Sequence, residues 1–146
     1  MTGFHVSASA EPPAPNPGER ILVSVPNWIG DGIMSMPALQ ALHDARPDLR
    51  IELLVKPRVA PLWRLHEVGR NQILLRTGLG GLAAAAREAR SNGFARAYVM
   101  PHSVRSALPL FLAGIPFRIG TSGRLRRPLS AHGACGSSCF LFACRN

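Results

Sequence analysis

The chain has 146 residues, 47% hydrophobic and 17% charged, which allows one ordinary domain with a real core and is too apolar for a disordered chain. Its net charge of +9 rests on 17 basic residues, of which only Lys56 is a lysine. Such a balance suits nucleic acid, an anionic membrane face or a phosphorylated substrate, but aromatics are 6% and no recognised binding module occurs, so no nucleic-acid partner is expected.

Residues 1–19, with Pro12, Pro13, Pro15 and Pro17, are expected to be a disordered leader. They hold neither the basic start nor the apolar core of a secretion signal. Ile21 to Val25, closed by Pro26, predicts a buried strand of a parallel sheet. Gly30, Asp31 and Gly32 form the next turn, and Ile33 to Ala45 predicts a helix with Ile33, Met34, Pro37, Ala38, Ala41 and Leu42 on its apolar face. Pro37 falls in about its second turn and allows either a local kink or a later helix start.

Arg50 to Lys56 predicts a second strand ended by Pro57, Val59 to Val68 a helix, Gln72 to Leu75 a third strand, and Gly81 to Ser91 an alanine-rich helix ended by Asn92-Gly93. Ala95 to Met100 reads as a fourth strand, Ser103 to Ala113 as a helix, and Phe117 to Ile119 as a fifth strand. The alternation predicts an α/β fold, a Rossmann-like parallel sheet covered on both faces. The domain is bounded at residues 20–129, and 130–146 is expected to be an irregular tail that fits no further sheet element. Cys135, Cys139 and Cys144 fall in that tail, at spacings unlike structural zinc, so no metal and no cofactor are expected. The longest apolar run, Ala107 to Ile115, is short of the roughly 18 to 20 residues of a spanning helix, so a cytoplasmic protein able to work at a membrane surface is expected.

A lone carboxylate in the first strand-to-helix turn sits where open α/β sheets place their chemistry. Asp31 there can cap the following helix, a role compatible with chemistry at the same edge. Trp28 offers a flat face and Asn27 an amide to a bound ligand, or they simply pack the loop. His102, Ser103 and Arg105 follow the fourth strand on the same edge, where contact with a phosphate or carboxylate competes with capping and solvent exposure. Arg118, with Arg124, Arg126 and Arg127, makes a basic stretch that suits an anionic partner or is an ordinary solvated run. The first turn lacks G-x-G-x-x-G and the second strand ends in Lys56, which argues against the alternative of a dinucleotide-binding module.

The stretch Pro26-Asn27-Trp28-Ile29-Gly30-Asp31, with Met34, Pro37, Ala38 and Leu39 behind it, resembles the opening motif of the lipopolysaccharide heptosyltransferases, especially the heptosyltransferase II type. Arg46-Pro47-Asp48, Ala97 to Leu108 and Ala113 to Gly120 continue the resemblance in order, over about Arg20 to Leu129. It implies the amino-terminal half of a GT-B glycosyltransferase, which moves heptose from ADP-heptose to the lipopolysaccharide inner core at the inner face of the inner membrane. It assigns the base to Asp31 and an acceptor site to Asn27, Trp28, Gly30, Gly32, His102, Ser103, Arg105 and Arg118. Most of the ADP-heptose site would lie in the half that this chain does not match, so the chain alone is expected to be inactive. A frameshift would account for the tail.

Overall fold

The computed structural model describes residues 14–101, 103–121 and 132–134, the last three and Thr121 by backbone alone. Ile21, Leu22 and Val23 of β1 (Arg20–Ser24) are fully buried, as a strand covered on both faces requires. It is flanked in a parallel sheet by β2 (Arg50–Val55) and β4 (Arg96–Val99). With β3 (Gln72–Leu74), β5 (Phe117–Thr121) and β6 (His132–Ala134), the order is β3-β2-β1-β4-β5-β6. The sixth strand corrects the expectation of a tail without sheet structure. Only three residues pair with β5, and so short an edge strand leaves no alternation to read. The remaining tail, including the three cysteines, lies outside the described residues.

Alternate residues of β1, β2, β3 and β4 feed two cores. On one face Ile21, Val23 and Val25 pack with Leu39 of α1 (Ile29–Ala45) and Trp63 of α2 (Ala60–Arg64). On the other, Leu22, Leu54 and Ala97 meet Ala85 and Ala89 of α3 (Gly78–Ser91) and Ala107 and Leu110 of α4 (Val104–Leu112). Burying a side chain the size of Leu110 or Ile21 contributes about 1.5 to 3 kcal/mol each.

Helix α1 differs most from expectation. It starts at Ile29, a turn ahead of Ile33, because Trp28 takes the N-cap place with extended backbone (φ −104°, ψ 141°) and no side-chain bond. Asp31 therefore lies in the helix's first turn, and the reading of it as the cap is replaced. Pro37 sits inside the helix rather than near its start. The buried residues are Gly32, Ser35 and Leu39, while Ile33 (51% exposed) and Met34 (81%) face outward, contrary to the expected apolar face. The small side of the helix turns inward because Gly32 lies against Trp63, where an added Cβ would be 3.8 Å from Nε1. Filling that contact with the wholly buried indole outweighs the burial of a mobile methionine.

The helix expected over Val59 to Val68 is broken after Arg64 and resumes as a 3₁₀ turn, Glu67–Gly69, where His66 Nδ1 accepts the Val68 amide at 3.3 Å. Residues 14–19, the end of the expected leader, are fastened to the domain. Arg46 bridges Asp48 at 2.9 Å and the Pro15 carbonyl at 3.0 Å. Glu19 accepts from Arg96 Nε at 2.9 Å, the two side chains 6% and 2% exposed. Burial opposes the Glu19 charge, but the Arg96 bond and the Asn16 amide outweigh it and hold the carboxyl below its ordinary range. Burial likewise pushes the neighbouring Tyr98 phenol up.

Candidate functional site

The sheet order reverses at β1. From β1 the chain moves outward through β2 and β3, then crosses back to place β4 on the other side. The loops leaving β1 and β4 consequently diverge and open a crevice at the carboxyl ends of the strands, as such switch points do. The crevice encloses about 650 Å³ and is lined from one side by Pro26, Asn27, Trp28 and Asp31 and from the other by Met100, Pro101 and Ser103.

Each wall has a local cause. The amide of Val25 donates to Leu54 O and that of Met100 to Ser24 O, so strand pairing continues up to the point where each loop departs. Helix α1 then rises from Trp28 and places Asp31 one turn in, exposed, with no ion-pair or hydrogen-bond partner among the described residues. An acidic group is favoured at this end of a helix, where free amides gather. Ser103 caps α4: its Oγ accepts the Ser106 amide at 3.3 Å. Trp28 is 68% exposed, and the Arg58 guanidinium lies over its ring, 5.9 Å from the centroid.

Over 113 residues, 73% of this chain, the sequence is 36% identical to lipopolysaccharide heptosyltransferase 2 of Escherichia coli, covering 32% of that protein. The Salmonella typhimurium enzyme of the same name is 34% identical over the same length. The solved structure of E. coli ADP-heptose lps heptosyltransferase II superposes with a TM-score of 0.66 at 32% identity, over 76% of this chain and 33% of that one. Over this stretch the chain is similar to the lipopolysaccharide heptosyltransferases. It spans about a third of the length of the curated relatives it matches. A family 9 glycosyl transferase from Veillonella parvula, 20% identical with a TM-score of 0.70, shares the fold. No family model matches the chain.

Against this heptosyltransferase background, Asn27, Trp28, Asp31 and Ser103 converge on one crevice. Gly30 stands beside it with nothing within 4 Å of an added Cβ, which leaves the approach to Asp31 open. Gly32 does not belong to it, since its open side meets Leu62 and Trp63. Arg105 is exposed at the start of α4, where its guanidinium donates to Gly78 O at 3.2 Å and so leans toward α3. Arg118 is also elsewhere. It opposes Ala97 in register, near the amino end of the strands, bonds to the Ile115 carbonyl and lies 5.3 Å from the Phe111 ring centroid. Partial burial lowers its pKa from the ordinary arginine value. His102 lies outside the described residues.

The crevice also gathers side chains outside the expected site residues. Met34 and Met100 supply apolar wall, and Ser35 lines the base with its Oγ donating to Gly32 O at 2.8 Å. Arg58 enters only through its stack on Trp28, thirty positions away in sequence. Among the described residues no three His, Cys, Asp or Glu side chains are placed to hold a metal ion.

Proposed function

We propose that this chain is the acceptor-side, amino-terminal domain of an inverting GT-B heptosyltransferase that transfers heptose from ADP-heptose to the lipopolysaccharide inner core. The observation that carries the reading is Asp31: an exposed, unpartnered carboxylate in the first turn of α1, at the mouth of the switch-point crevice. In the reaction an acceptor hydroxyl attacks the anomeric carbon of the heptose while the bond from that carbon to the diphosphate breaks on the opposite face. Asp31 takes the hydroxyl proton as the new glycosidic bond forms, and ADP departs. The Trp28 ring and the Asn27 amide hold the acceptor sugar, Ser103 bounds the far wall, and Arg58 pairs with acidic groups on the acceptor.

The donor would be held mainly by the part of the relatives that this chain does not span. Holding donor and acceptor together across the two parts supplies the orientation that contributes about 7 to 11 kcal/mol to two-substrate chemistry. The acceptor is lipid-linked, which places the reaction at the inner face of the inner membrane. None of the described helices is long and apolar enough to cross a membrane, so contact there is peripheral on this reading.

The test is a heptosyltransferase 2 carrying residues 20–121 of this chain in place of its own matching segment. Asp31→Asn should lower kcat by roughly 10² to 10⁴-fold and leave acceptor KM within about threefold. Unchanged kcat removes Asp31 as the base.

A further inference from the structure

The opposite, amino edge of the sheet carries another cavity, of about 560 Å³. Strands β1 and β2 both open on an arginine, and Arg20 and Arg50 are Cα partners in register. Register partners on neighbouring strands leave the same face about 4.8 Å apart, so like charges are set side by side, an arrangement that costs free energy unless an acidic group lies between them. Glu52 answers only one of them, through its ion pair with Arg20. Arg20 also lies 5.3 Å from the Phe94 ring centroid, and its Nε is buried with no acceptor among the described residues.

Arg70, just before β3, adds a third guanidinium to the same cavity, together with the Asn71 and Asn92 amides. The side chains of Arg50 and Arg70 have no ion-pair or hydrogen-bond partner among the described residues. Further along this edge Arg96 is satisfied by Glu19 and Arg118 by the Ile115 carbonyl. The unanswered arginines are therefore gathered at the cavity rather than spread along the edge. Glu52, paired with Arg20, and Glu67 are the acids on its lining, and Glu67 disfavours a monovalent anion while leaving a multivalent one able to prevail.

We propose that this cavity binds a small soluble molecule carrying adjacent oxyanions, a diphosphate or a di- or tricarboxylate, gripped by Arg50 and Arg70 with Arg20 and the two asparagine amides as further donors. The planar fork of a guanidinium matches paired oxygens of that kind, whereas a lone chloride uses only part of it. The proposal is independent of heptose transfer, since Asp31 lies at the other edge of the sheet.

Pyrophosphate and citrate, titrated separately into the 146-residue chain at constant ionic strength, provide the test by calorimetry. At least one should bind saturably, with affinity at least about tenfold weaker in the Arg50→Gln/Arg70→Gln double variant and unaltered in Arg58→Gln. The unliganded thermal midpoint of the double variant should match or exceed the parent's; if that variant does not fold, Arg50→Gln and Arg70→Gln singly take its place. Absence of saturable binding, equal affinity in the variants, or loss in Arg58→Gln each overturns the proposal. So does a result in which only phosphatidylglycerol vesicles bind in an Arg50- and Arg70-dependent way, since the ligand is then a lipid headgroup.

Discussion

Gly69 leaves no room for a side chain: a Cβ there would lie 1.8 Å from the Trp63 carbonyl oxygen, and backbone cannot swing aside. Gly69→Ala should therefore destabilise the domain by about 1 to 3 kcal/mol or more, read from the denaturant midpoint. Gly32→Ala is the contrast. Its Cβ would meet Leu62 at an ordinary 3.5 Å, and alanine is the better helix former, so stability should hold or rise by up to about 1 kcal/mol. The same inequality governs which site residues could be read from sequence. Asn27, Trp28, Asp31 and Ser103 sit within a few positions of strand ends, and strand ends are legible from apolar runs. Gly32 and Arg118 were misplaced because local spacing does not say which way a helix is rolled or how far along a strand a residue stands. Arg58, Met34 and Met100 were invisible for another reason: their meeting depends on three separate loops or helices coming together.

Helix α1 shows the limit at the next scale up. Its sequence mixes apolar residues on both sides, so periodicity alone could not choose the inward face, and the choice was made by the fit of Gly32 and Ser35 against the sheet and Trp63. The outward Ile33 and Met34 consequently contribute little to this domain's stability. Ile33→Gln with Met34→Gln should change the denaturant midpoint by no more than the equivalent of about 0.5 kcal/mol while reducing self-association seen by light scattering. A loss above about 2 kcal/mol would mean the face is packed after all. The strands were far more legible than the helix roll, because a fully buried parallel strand such as β1 needs a continuous apolar run and no choice of face. Helix starts were read late at both α1 and α3, where glycines that usually mark turns lie inside the first turn.

For the molecule as a whole, acid should act through the contacts that bind residues 14–19. The bond from Arg46 holds Asp48 down to about 2, and Glu19 is also held below its ordinary value. Both carboxyls are easier to protonate once unfolded, so their contribution is complete above about pH 4 to 5 and is lost as pH falls toward 2. The thermal midpoint should drop across that window, and Glu19→Gln should flatten the drop; a midpoint independent of pH there would contradict it. Glu19 and Arg96 are 77 positions apart, and their bond joins the residue before β1 to the first residue of β4. Closing so distant a seam is the slow kind of step in assembling a parallel sheet, since the intervening α1, β2, α2, β3 and α3 must be accommodated in one long loop. The switch-point crevice straddles that same seam. A chain halted before its closure would already possess an aliphatic core around Trp63 yet lack the crevice, so the opening at the carboxyl edge reports the last act of folding rather than its bulk.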